Sequence, residues 1–272
     1  MIGAIIGDTI GSSYEFHNVK SKEFDLFTAN TTPTDDSYMT MAVMETILTC
    51  HPIDYSNKGI EKFKKELIEN FVKWFKRHPN GGYGLRFESW CLGMNNYQPY
   101  NSFGNGSAMR ISPVGFYCNS EEEVKKLSKA VAEVTHSHVE GIKGAECIAM
   151  CIYLARKGKS KEEIKQYVID NYYERLKNLN YNSLVAYYSF DETCQGSCAE
   201  AVYCFLISND FEDCLRTSIS IGGDSDTIAC MSCAIAEAYY KDVPSNLISQ
   251  VKSCLSEDMK DMIEKFDRLI NR

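Results

Sequence analysis

The feature that most limits what this chain can become is a helical repeat of apolar residues that recurs from residue 39 almost to the end. Met39, Ala42, Val43, Ile47 and Cys50 fall at i, i+3, i+4, i+8 and i+11, one face of an α-helix. Ile60, Phe63, Leu67, Phe71, Trp74 and Phe75 repeat the pattern, as do Val124, Leu127, Val131 and Val134. Ile142, Ala145, Ile148, Ala149 and Ile152 form another stripe, and segments 197–208, 226–240, 245–255 and 258–270 read the same way. Alternating strand patterns are scarce. Asn80-Gly81 and Asn105-Gly106 look like hairpin turns, but their flanks do not alternate. The expectation is an all-α protein of about ten helices. No Pro- or Ser-rich linker, composition shift or fixed-period repeat divides it, so residues 1–272 are expected to form a single domain.

Composition narrows the classes of function. The chain has 272 residues, 44% apolar and 24% charged, which excludes a disordered protein. Its net charge of −8 argues against binding a nucleic-acid backbone or an anionic membrane surface. No apolar run approaches the roughly 20 residues that span a bilayer. Met1 to Gly7 is apolar but is interrupted by Asp8, with no basic region before it, so it does not read as a signal peptide. Twelve cysteines in such a chain read as small buried apolar residues in a reducing cytoplasm. Cys230 and Cys233 have CxxC spacing but lack the second pair that a structural zinc needs. With no long heptad in view, a monomer is expected.

Two acidic clusters lie far apart: Thr34-Asp35-Asp36-Ser37 and Gly222-Gly223-Asp224-Ser225-Asp226-Thr227. Each stands where a polar loop runs into a helical pattern. Helix capping is the plain reading of either one. It does not explain two sets of paired carboxylates with hydroxyls beside them. Four such carboxylates brought together repel unless a cation lies between them. An oxygen-only donor set favours Mg²⁺, Mn²⁺ or Ca²⁺, and two clusters suit a metal pair about 3.5–4 Å apart.

Three further segments carry chemistry. Ser102-Phe103-Gly104-Asn105-Gly106-Ser107-Ala108-Met109-Arg110 has the composition of an anion-binding turn, with Arg110 able to add a charge-assisted bond. Thr135-His136-Ser137-His138 joins two helical stripes, and its histidines suit either a cap or a contact to phosphate or ribose. Gly7 to Glu15 places glycines four apart, as close helix packing requires, and ends in Glu15 at the mouth of the long polar loop 16–35, which reads as a mobile flap.

Taken together and in this order, these segments resemble the ADP-ribosylglycohydrolase family, which includes dinitrogenase reductase-activating glycohydrolase and the ADP-ribosyl-acceptor hydrolases. The match runs over essentially the whole chain: G-D-x-x-G-x-x-x-E at Gly7–Glu15, T-D-D-S/T at Thr34–Ser37, G-N-G-x-A-M-R at Gly104–Arg110, T-H at Thr135-His136 and G-G-D-x-D-T at Gly222–Thr227. Position 37 is Ser where many relatives carry Thr, which keeps the hydroxyl. The chain lacks the long insertions of some relatives, which bears on acceptor choice.

The resemblance implies a compact orthogonal helical domain with a binuclear Mg²⁺ or Mn²⁺ site held by Thr34, Asp35, Asp36, Asp224, Asp226 and Thr227. It implies ADP-ribose binding through Ser102, Phe103, Gly104, Asn105, Gly106, Ser107, Arg110 and His136. The implied reaction cleaves the glycosidic bond at the distal ribose C1″ of an ADP-ribosylated side chain or small conjugate. Glu15, Asp36 or Asp226 would move the proton. A non-catalytic ADP-ribose-binding module and a two-metal nucleotide phosphohydrolase are the alternatives. Asn105→Ala is expected to weaken substrate binding more than metal binding.

Overall fold

The computed structural model describes residues 1–271. Among them it has fifteen α-helices and one 3₁₀ turn and no named strand. The helices are α1 (Gly3–Gly11), α2 (Asp35–Cys50), α3 (Asn57–Arg77), α4 (Leu85–Cys91), α5 (Gly106–Met109), α6 (Ser112–Tyr117), α7 (Glu121–Glu133) and α8 (Val139–Arg156). They continue as α9 (Lys161–Asn171), the 3₁₀ turn Glu174–Asn178, α10 (Tyr181–Tyr187), α11 (Cys194–Ile207), α12 (Phe211–Ser220), α13 (Ser225–Tyr240), α14 (Ser245–Cys254) and α15 (Glu257–Ile270). The all-α expectation stands, but the count of about ten was too low. The helices α4, α5, α6 and α10 are two turns or shorter and show no period. In α9 only Ile164 and Val168 are buried, a stripe too narrow to read.

At the centre lies α13. All but three of its residues are buried, because Ala, Ser and Cys around its girth admit neighbours on every side. It packs against α1, α12, α11 and α8. The closest approach is to α1, which is buried along its whole length. Gly3, Gly7 and Gly11 form the seam. A Cβ on Gly7 would stand 2.2 Å from the Ala229 carbonyl oxygen, and one on Gly11 would stand 2.5 Å from the Asp226 Cα. The two helices run antiparallel, since Gly3 meets Cys233 and Gly11 meets Asp226. The seam therefore delivers the end of α1, and the loop carrying Glu15, to the start of α13.

The cysteines behave as packing residues. All twelve are free thiols and ten are buried. The loop after α1 is fastened rather than loose. Ser12 and Ser13 hydroxyls bond within it, Lys22 pairs with Asp213 at 2.6 Å, and Arg216 donates to the carbonyls of Lys22 and Phe24. No helix among the described residues is long and apolar enough to cross a membrane.

Candidate active site

The starts of α2 and α13 face one cleft of about 500 Å³, lined by both acidic segments together with Glu15, Asn105 and His136. At the first start, Thr34 is the N-cap, and its hydroxyl accepts from the Asp36 N–H at 3.4 Å. The stronger clamp is Asp8. Its carboxylate accepts from the N–H of Thr34 (3.0 Å), the Thr34 hydroxyl (2.5 Å), the Ser37 N–H (3.1 Å) and the Ser37 hydroxyl. Because Asp8 satisfies this helix start, Asp35 and Asp36 are left for the cleft. Asp36 accepts from the Thr227 hydroxyl at 3.3 Å through one oxygen, and its buried Oδ2 has no partner among the described residues. The Asp35 N–H donates to the Gly81 carbonyl at 2.7 Å.

At the second start, Gly222 and Gly223 adopt left-handed φ of +70° and +75°. A side chain at Gly223 would meet the Tyr188 ring at 2.4 Å. The turn sets Asp224 at the N-cap of α13, yet its side chain makes no capping bond. Instead Asp224 accepts from the Asn105 amide at 2.6 Å. Capping thus explains part of the first cluster, while in the second Asp224 makes no capping bond and Asp226 accepts only the Thr227 N–H at 2.9 Å. Glu15, Asp224 and Asp226 each offer a carboxylate oxygen within 4.8 Å of the others.

These acids repel. Burial first, then neighbouring carboxylates, push Asp35, Asp36 and Asp226 well above the usual carboxylate range. Burial raises Asp8 and Asp224 against their hydrogen bonds. Glu15 is pushed up to about 7 by burial, then by Asp224 and Asp8, with a bond to Asp226 opposing. Among the described residues, no lysine or arginine forms an ion pair with any of them. An all-oxygen donor set with an orphaned buried oxygen on Asp36 fits hard divalent cations.

The glycine loop is narrower as a binding element than its composition suggests. The Gly104 N–H is taken by Ser102 Oγ (3.1 Å) and the Asn105 N–H by the Glu192 carbonyl (2.7 Å). The N–H groups of Gly106 and Ser107 have no protein acceptor among the described residues. The Ser107 hydroxyl is turned inward, donating to the Gly141 carbonyl at 2.7 Å, so its side chain is structural. Phe103 is half exposed, packs edge-on against His138 and is not part of the cleft lining. Arg110 is not a free anion-binding group: it is buried, its guanidinium lies 4.4 Å over the Phe71 ring, and it donates to the Thr135 hydroxyl at 2.7 Å. His136 lines the cleft. His138 instead caps α8, accepting from the Glu140 N–H at 3.1 Å.

Sequence reasoning missed two residues. Asp8 lay inside a recognised motif but was given no role. Asn18 carried no local signal. Its amide donates to the carbonyls of Tyr14 (2.8 Å), Glu15 (2.9 Å) and Gly223 (3.0 Å), and its oxygen accepts from the Gly223 N–H at 2.8 Å. It ties the Glu15 segment to the Gly-Gly turn 205 positions away. Asn105 also does more than expected. Its amide is spent on Asp224, which joins the glycine loop to the acid cluster.

The ADP-ribosylglycohydrolase family profile matches residues 1–272, and the chain belongs to that family. It is 29% identical over 313 residues to the human ADP-ribosylhydrolase ARH3, covering 88% of this chain and 84% of that one. It is 22% identical over 268 residues to the ADP-ribosylarginine hydrolase Tri1 of Pseudomonas putida (strain GB-1), covering 88% and 69%. A solved structure titled ADP-ribosylglycohydrolase-related protein complex superposes with a TM-score of 0.71 at 20% identity, over 99% of this chain and 95% of the other. That likeness establishes the shared helical fold.

Proposed function

We propose that this chain is a hydrolase dependent on two divalent cations, Mg²⁺ or Mn²⁺. It cuts the glycosidic bond at the distal ribose C1″ of an ADP-ribosylated side chain or small ADP-ribose conjugate and releases ADP-ribose. The observation that carries the reading is the convergence of Glu15, Asp35, Asp36, Asp224 and Asp226 on one cleft with no ion-paired lysine or arginine among the described residues. Thr34, Asp35, Asp36, Asp224, Asp226 and Thr227 would hold the cations. When bound, the cations supply positive charge that offsets the acids, orients ribose hydroxyls and acidifies a water.

The chain's own residues do the rest. Cleavage at C1″ develops oxocarbenium character, which neighbouring carboxylates stabilise. Glu15 is the carboxylate best suited to hold and move a proton, since it is partly open to the cleft and Asn18 fixes its backbone. Asp36 and Asp226 are more deeply buried and share the role of candidates. The Gly104–Gly106 loop and His136 would hold the diphosphate and nearby ribose. The free, mostly buried thiols suit work in the reducing cytoplasm.

The test is incubation with ADP-ribosylated arginine, ADP-ribosylated serine and O-acetyl-ADP-ribose, in Mg²⁺, Mn²⁺ or EDTA, with ADP-ribose followed by chromatography. Release from at least one conjugate with cation, and none in EDTA, is expected. Tight ADP-ribose binding without turnover of any conjugate would establish a binding module instead. Phosphate release would establish a phosphohydrolase.

A further inference from the structure

Another part of the cleft lining holds a group that the hydrolytic chemistry leaves unexplained. Arg110 is 1% exposed and forms no ion pair among the described residues. Its guanidinium lies 4.4 Å from the centre of the Phe71 ring and 5.7 Å from that of Phe87, and its Nε has no partner. A buried, unpaired cation is costly even with aromatic faces beneath it. Its best bond runs from Nη2 to the Thr135 hydroxyl at 2.7 Å, with a longer one to the Val131 carbonyl.

A guanidinium can only donate, so the Thr135 oxygen is the acceptor in that bond. The same oxygen lies 2.7 Å from His136 Nδ1. Two proton arrangements satisfy this second contact. If Nδ1 carried the proton, the hydroxyl proton of the fully buried Thr135 would have only the Tyr100 hydroxyl to turn to, in place of the closer and more basic imidazole nitrogen at 2.7 Å. If the hydroxyl donates to Nδ1, the Thr135 oxygen, its proton and Nδ1 are all satisfied and the imidazole proton sits on Nε2. That nitrogen faces the glycine loop: it lies 3.1 Å from where a Cβ on Gly106 would stand and 3.6 Å from one on Gly104.

We infer that Arg110 and Thr135 form a positioning relay that locks His136 in its neutral Nε2–H form. This gives the cleft a fixed donor at the glycine loop, beside Gly104 and Gly106, which line it. The ligand it serves, the diphosphate or ribose oxygens of ADP-ribose, rests on the function proposed above; the tautomer does not. Burial, then the charges of Arg110 and Arg86, hold the imidazole well below its usual range, in keeping with a neutral donor. The relay also accounts for glycine at 106, where a Cβ would crowd Nε2 at 3.1 Å.

The test is a long-range proton–nitrogen NMR spectrum of the full chain carrying ¹⁵N-histidine, with His136→Gln assigning the signal. At pH 7 His136 should show a protonated Nε2 and an unprotonated Nδ1. Thr135→Val should lose this pure tautomer and weaken ADP-ribose binding about tenfold by calorimetry, with Mg²⁺ affinity held within about twofold. Thr135→Ser should restore both. A wild-type His136 protonated at Nδ1 or at both nitrogens overturns the relay, as does a Thr135→Val variant that keeps the tautomer and the affinity. If the wild type shows the Nε2–H form but binds no ADP-ribose, the proposed function fails and the relay stands.

Discussion

The two acidic helix starts carry similar residues and are held in different ways. The start of α2 is clamped from inside, by a carboxylate on a fully buried helix only 26 to 29 positions away. The start of α13 is held from outside, by the amides of Asn18 and Asn105, both from loops. The contrast teaches that one acid pair is built into the core, while the other depends on loops that also form the cleft. Damage to the first clamp should read as lost stability, and damage to the second as lost function.

The largest expected effect is common to both. Asp35→Ala or Asp226→Ala should reduce ADP-ribose release about a thousandfold or more and remove calorimetric cation binding. Near-normal turnover in either variant would sink the cation assignment. Next comes the core clamp. Asp8→Ala leaves the N–H groups of Thr34 and Ser37 unpaired in a buried site and should lower unfolding free energy by about 3 kcal/mol in urea titrations. A loss below about 1 kcal/mol would show that Asp8 is not the clamp.

The outer clamp should behave differently. Asn105→Ala should weaken both cation and ADP-ribose affinity about tenfold, as loss of a bond to the carboxylate proposed to hold a cation would. Asn18→Ala should lower kcat about tenfold while leaving urea stability within about 0.5 kcal/mol. If Asn18→Ala unfolds the chain as readily as Asp8→Ala, the contrast is wrong.

The smallest effect concerns pH. Folded-state values of the cleft acids lie above their unfolded ones, so their contribution to stability is present at low pH and fades as pH rises through the folded values. For Glu15 that window runs from about 4.5 to about 7. In EDTA, Tm should therefore fall by about 5 °C between pH 5.5 and pH 8, and Mg²⁺ should restore more of it at pH 8. A rise over that range would contradict the electrostatic account.

Much of this was readable. Apolar stripes such as Ile60–Phe75 announced α3, and the paired Asp-Asp and Asp-Ser-Asp segments marked the cleft ends. Short helices such as α5 were not readable, because fewer than two turns give no period. Nor were the roles inside each motif. Ser107 and Gly106 look alike as loop residues, yet one turns its side chain inward and the other faces His136.

The sequence by itself determined the helical class, the close-packing spacing of Gly7 and Gly11, and the pool of acids able to hold a cation, because periodicity, glycine spacing and charge are local properties. Only the tertiary structure decided that Asp8 is a clamp, that Asn18 and Asn105 bind the second acid segment, and that Arg110 acts through Thr135. Those roles are set by which hydrogen-bond partners remain once buried donors are satisfied, and most of those partners lie far along the chain.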